Sequence, residues 1–143
     1  MKKIFLLLLI PFLILNCNNL SSNSKNKINP KAKKYFLSGN IEYKKGNFSK
    51  AISYYSKAIS VDNKYVYAYL KRGDSYRKLR KKSAALRDYT KVIELNPYNS
   101  RAYYHRGTLK FKLGKKSSGC RDIIKAKELC YVPAERFAKQ YCK

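Results

Sequence analysis

Apolar positions through residues 32–133 recur every three or four residues, the stripe that an amphipathic helix turns toward a core. These short steps sit inside a longer register. Gly39, Gly73 and Gly107 are 34 residues apart, and the same interval carries Tyr35, Tyr69 and Tyr103, then Ala51, Ala85 and Gly119. It continues through Tyr55, Tyr89 and Ile123, through Ala58, Val92 and Ala126, and through Val61, Leu95 and Leu129. Each interval has room for two helices, parted near Gly46-Asn47, Arg80-Lys81 and Gly114-Lys115, where a left-handed residue is wanted and Gly or Asn supplies it at least cost. Asn96-Pro97 closes the second interval, because proline pushes the residue before it out of helical geometry. Three units result, 32–65, 66–99 and 100–133. A short amphipathic helix, 134–142, follows Pro133 with Phe137 and Tyr141 on one side and is expected to cover the open end of the third unit.

A helix-turn-helix of 34 residues with these aromatic and small positions resembles the tetratricopeptide repeat, over about 100 of the 143 residues. The resemblance implies an all-α, right-handed solenoid of three repeats plus a C-terminal capping helix, within a domain spanning 31–143. Gly39 and Ala51 would let paired helices approach closely, and the tyrosines would fill the space between units. Some positions depart from the family pattern. Arg80 stands where the inter-helix glycine is usual, so Ser83 is expected to cap the following helix one step late. Asn63 replaces the repeat-ending proline, and Ser38, Arg72 and Arg106 replace the common leucine before glycine.

In this family the first helix of each repeat lines a concave groove. The resemblance therefore points to Lys33, Phe36, Asn40, Tyr43 and Lys44, to Tyr67, Leu70, Lys71, Asp74 and Arg77, and to Arg101, Tyr104, His105, Thr108 and Phe111. Cations beside aromatic faces suit an extended acidic peptide or a free C-terminal carboxylate. The plainer alternative is that the aromatics pack between repeats and the lysines are merely solvated. One family subclass grips the acidic tails of cytosolic chaperones through a five-residue carboxylate clamp. Asn40 matches it and Arg101 is a conservative match, whereas Phe36, Lys71 and His105 occupy places where Lys, Asn and Arg belong, so the clamp is not reproduced.

Composition adds an address and a second reading. At 143 residues there is room for one domain. Lys and Arg number 33 against 8 acids, a formal charge of +25, which favours anionic partners. The alternative function is accordingly electrostatic binding of anionic polymers or lipid headgroups, with nucleic acid, acidic glycan and membrane surface as the classes and with strong salt dependence. Lys, Asn, Ile and Tyr are raised together, as an AT-rich coding sequence would raise them, so part of this charge is compositional. Catalysis is not expected: no nucleophile, base and orienting group share a motif, no phosphate-cradling loop occurs, and the carboxylates are scattered singly. His105 is the only histidine, which leaves no metal or cofactor set and no small-molecule substrate in view.

Residues 1–16 read as a signal peptide: Lys2 and Lys3, then the apolar run Ile4–Leu15 interrupted by Pro11. The run is too short for a bilayer span of about 20 residues. Leu13-Ile14-Leu15-Asn16-Cys17 resembles a bacterial lipobox in the relaxed form of spirochaete lipoproteins, which implies cleavage before Cys17 and thioether lipidation of its thiol. Acyl chains such as palmitate would hold the protein on a membrane, with 17–30 as a flexible tether. An exported lipoprotein on an inner or outer membrane, or on the cell surface, would not meet nucleic acid. Export also permits disulfides. If the last two helices run antiparallel, Cys120 and Cys142 lie equally far from the bend, whereas Cys130 is too distant from Cys142. The exported relatives that the C-terminal run resembles imply the same Cys120–Cys142 bridge. Three buried thiols are the alternative, and Cys130 is expected as a single packed thiol.

Overall fold

The computed structural model describes residues 28–143, and within them every regular element is a helix. The order is α1 (Pro30–Lys44), α2 (Phe48–Val61), α3 (Val66–Lys78), α4 (Lys82–Leu95), α5 (Ser100–Lys112), α6 (Lys116–Glu128) and α7 (Val132–Tyr141). Each helix packs on the next in sequence, so α1–α2, α3–α4 and α5–α6 are hairpins stacked in a row and α7 closes the far end. The signal-peptide, Cys17-lipidation and tether readings fall on or mainly on residues outside those described. Among the described residues, no helix is long and apolar enough to cross a membrane.

Local chemistry explains the boundaries. Pro30 opens α1 where its missing N–H costs nothing, and Asn29 Oδ1 accepts from the N–H groups of Lys31 (2.9 Å) and Ala32 (3.4 Å). Asn99 does the same for α5, accepting from Ala102 N–H at 2.9 Å. The three intra-hairpin turns share one backbone solution: Gly46 at φ 83°, Arg80 at φ 56° and Gly114 at φ 80°. The turn of the second unit therefore survives without glycine. Ser83 does not cap α4 as expected, since Arg80 takes the left-handed conformation itself and the helix already begins at Lys82.

Close approach inside each hairpin depends on the repeating glycines. A Cβ on Gly39 would lie 2.5 Å from the Tyr55 ring, and one on Gly107 would lie 2.8 Å from the Gly119 carbonyl oxygen. Ala51, Tyr55 and Ala58 of α2, and Ala85, Tyr89 and Val92 of α4, are fully buried in these seams.

At the C-terminal end Cys120 and Cys142 are joined, with their Cα atoms 5.4 Å apart, as α7 returns along α6. Cys130 is not the packed thiol expected of it. It stands exposed in the α6–α7 turn at φ 62°, where the reversal carries it away from the core, and no cysteine among the described residues is a free thiol.

Candidate binding groove

The first helices of the hairpins, α1, α3 and α5, bring together a polar cluster centred on Asp74. This carboxylate is completely buried. It accepts from the Tyr89 hydroxyl at 2.9 Å and from Arg101 Nη2 at 2.5 Å, so α4 and α5 both converge on α3. Arg101 Nε also donates to His105 Nε2 at 3.3 Å, one helical turn along α5. For His105 to accept there, that nitrogen must be unprotonated, and its surroundings agree. Burial lowers its pKa to about 4, with Asp74 opposing the shift and the Arg77 and Arg101 cations adding to it. The 3.9 Å approach of His105 to Asp74 is therefore a contact of a neutral ring, not an ion pair. The imidazole stacks on Tyr89, with ring centres 5.6 Å apart.

The first unit makes the corresponding bond with neutral partners. The Tyr55 hydroxyl donates to Asn40 Oδ1 at 2.9 Å, one 34-residue step before Tyr89 and Asp74. Both tyrosines are held well above their usual pKa, chiefly by burial. Arg77 adds a cation whose Nε is buried without a hydrogen-bond partner among the described residues, and Lys71 Nζ lies 5.6 Å from the centre of the Tyr43 ring.

The residues expected along the groove thus divide into three kinds. Lys33 and Tyr67 are exposed, Tyr67 at 59%, and Tyr43, Lys71, Arg77 and Arg101 are partly exposed. Asn40, Asp74 and His105 sit deeper and hold the helices together. Phe36 instead packs against Tyr55 and Tyr65, Tyr104 packs against Tyr131 and Phe137, and Thr108 donates to the His105 carbonyl at 3.0 Å. Leu70 is core, and Phe111 lies edge-on to Phe137. Among the described residues no cluster of His, Cys, Asp and Glu has the arrangement of a metal site.

A second periodic set includes Arg72 and Arg106, the departures from the family pattern before glycine. Arg72 makes a two-pronged bond to Asp88, at 2.9 and 2.8 Å, and donates through Nη1 to Ser56 Oγ of the preceding hairpin at 3.0 Å. Arg106 repeats this on Asp122, at 2.8 Å twice, and on Thr90 Oγ1 at 3.3 Å, with Lys110 also reaching Asp122 at 2.8 Å. Each arginine therefore ties together three helices. The signal was available: Arg72 and Arg106, Asp88 and Asp122, and Ser56 and Thr90 all obey the 34-residue step.

Stacked helical hairpins with an inner face built from their first helices define a repeat solenoid. The chain carries tetratricopeptide repeats. Family models described as "TPR repeat" and "Tetratricopeptide repeat" match residues 39–80 and 66–99. Among solved structures, the first TPR of Spaghetti (RPAP3) bound to HSP90 peptide SRMEEVD is 26% identical, with a TM-score of 0.74, over 78% of this chain and 90% of that one. The second TPR domain of human RPAP3, in complex with HSP70 peptide SGPTIEEVD, is 27% identical over 79% of this chain and 96% of that one, with a TM-score of 0.73. The Arabidopsis OM64 TPR domain is 25% identical over 78% of this chain and 93% of that one, with a TM-score of 0.74. No curated protein sequence matches the chain.

Proposed function

We propose that the chain is an exported, membrane-anchored adaptor that binds an extended, acidic segment of another protein along the inner faces of α1, α3 and α5. The observation that carries the reading is the charge of that face. Lys71 and Arg77 of α3 and Arg101 of α5 line it, and the single carboxylate among them, Asp74, is buried and already bonded. A ligand carboxylate therefore meets cations and the faces of Tyr43 and Tyr67, which favours charge-assisted hydrogen bonds over water. That two structural neighbours hold peptides ending in EEVD supports a peptide in this position. The chaperone clamp itself is not the mode: Arg101 is engaged by Asp74 and Asn40 by Tyr55, so the remaining cations set a different pattern.

Lipidation of Cys17 would place this scaffold on a membrane, where a partner is met at the surface. A photoreactive side chain at Tyr67, incorporated in cells, should capture a defined partner that the same group at Arg87, exposed on α4, does not. Identical captures from both positions would defeat the groove assignment. For the anchor, Cys17→Ser should release the protein from the membrane fraction, and retention of that variant would defeat it.

A further inference from the structure

The two ends of the solenoid are treated differently. Beyond α6 the third hairpin is covered by α7. Before α1 no helix stands among the described residues, and the register shows what α1 leaves open. Lys34, Leu37 and Ile41 correspond, one and two steps of 34 residues later, to Ala68 and Ala102, to Lys71 and His105, and to Ser75 and Leu109. Ala68, Ala102, Ser75 and Leu109 are buried, at 5% exposure or less, where a preceding hairpin lies beside them. On α1 the same face is bare: Leu37 is 51% and Ile41 54% exposed, and Lys33, Lys34 and Lys44 around them are exposed too.

We propose that this face of α1 seats on an anionic lipid surface, with Leu37 and Ile41 entering the interface and Lys33, Lys34 and Lys44 meeting the headgroups. The spacing supports it. At 100° per residue the five side chains share one side of the helix, aliphatics central and lysines flanking, the pattern of a helix lying in a membrane interface. Charge selects lipid over a second copy of the chain, because two such edges brought together would set lysine against lysine. The position in the chain agrees. The apolar run Ile4–Leu15 precedes α1 by fourteen residues in the sequence, so α1 is the described helix nearest along the chain to whatever that run or an acyl group on Cys17 enters. The proposal concerns the orientation of the domain and does not require the acyl group.

The chain has no tryptophan, which gives a clean probe. Ile41→Trp and, as a second reporter, Leu37→Trp would be made in the full chain, with Val132→Trp, 78% exposed at the start of α7, as the distant control. Each would be mixed with phosphatidylcholine vesicles with and without phosphatidylglycerol, carrying brominated acyl chains. The expected result is a blue shift and at least a twofold quenching at positions 41 and 37, dependent on phosphatidylglycerol and absent at 132. Adding Lys33→Glu, Lys34→Glu and Lys44→Glu should abolish the quenching while the N-terminal segment keeps the chain on the vesicles, since each lysine contributes about fivefold in association. Circular dichroism identical to the parent chain would exclude misfolding at 41, and position 37 reports independently if it does not. No quenching at either position, or equal quenching at 132, would overturn the proposal. So would a blue shift at 41 that grows with protein concentration in the absence of vesicles, the mark of a second copy.

Discussion

The first and second hairpins have the same geometry and different chemistry. In the second, a buried carboxylate accepts from Tyr89 and Arg101, and Arg72 grips Asp88 with both prongs. In the first, Asn40 replaces Asp74, and the positions of Arg72 and Asp88 are filled by Ser38 and Tyr54, so both charges are missing together. The hairpin shape therefore does not depend on the ion pairs. It comes from glycine and alanine at the seam, and the charged groups add ties both within a hairpin, where Arg72 grips Asp88, and between hairpins, where Arg72 reaches Ser56 and Arg101 reaches Asp74. A buried ion pair is a weak source of net stability but is costly to break on one side, because the surviving charge stays desolvated.

The largest effect expected follows from that asymmetry. Asp88→Ala should destabilise the fold by about 3 to 5 kcal/mol, because it leaves the Arg72 guanidinium, only 19% exposed, without its carboxylate. The pair found in the first hairpin, Arg72→Ser with Asp88→Tyr, should lose far less than Asp88→Ala alone. Urea unfolding of the three proteins measures the difference, and a double variant as unstable as the single would refute the idea that the two hairpins are interchangeable solutions.

Acid should separate the hairpins next, because only the third unit supplies a histidine to the cluster. His105 stays neutral in the folded chain down to about pH 4, whereas in the unfolded chain it binds a proton below about pH 6.5. The unfolded state thus binds more protons between those values. Stability is lost as pH falls through that window, by on the order of 3 kcal/mol in total, and His105 exerts no such pull above it. The ring is surrounded by Asp74 and Arg77 of α3, Tyr89 of α4, and Arg101 and Tyr104 of α5. His105→Phe keeps a ring against Tyr89 and removes the titration. Its melting temperature should fall less than that of the parent chain between pH 7 and pH 4.5, and parallel falls would show that His105 is not the sensor.

These contrasts also mark what could be read from the chain alone. The 34-residue step gave the helices, their turns and the seam residues, since one-dimensional spacing is all that an amphipathic stripe and a left-handed turn require. The ion pairs are not legible there because their members are 16 residues apart, on different helices, and look like isolated charges until a hairpin folds. Phe36 and Tyr104 read as groove residues in the sequence for a related reason. Helical spacing gives the side of the helix from which a ring leaves, and it is the neighbouring chain that decides whether the ring then closes inward, as Phe36 does onto Tyr65 and Tyr104 onto Tyr131. The N-terminal address lies outside the described residues and stands on sequence alone.

A gentler comparison uses the two buried tyrosines. Tyr89→Phe removes a donor from a fully buried carboxylate and should lose about 2 kcal/mol, within the range for bonds to charged groups. Tyr55→Phe removes the same hydroxyl from a neutral amide on a half-buried residue and should lose about 1 kcal/mol. Thermal unfolding of both variants gives the order directly. Equal losses would mean that Asp74 draws enough from Arg101 to make the hydroxyl redundant.

The smallest effect expected is a gain. Gly46 and Gly114 take the left-handed turn at no steric cost, and Arg80 takes it with a Cβ crowded against its own backbone. Arg80 is exposed and among the described residues no ion pair holds it, so replacing it removes strain and little else. Against this, glycine makes the unfolded chain freer, which offsets part of the benefit. Arg80→Gly should therefore stabilise the chain by about 0.5 kcal/mol, enough to raise the melting temperature by a few degrees in a domain of this size. Hydrogen exchange would locate the gain: slower exchange in α3 and α4 with α1 and α2 unchanged. A destabilised variant would mean that the second turn, unlike the other two, is held by contacts of the arginine itself.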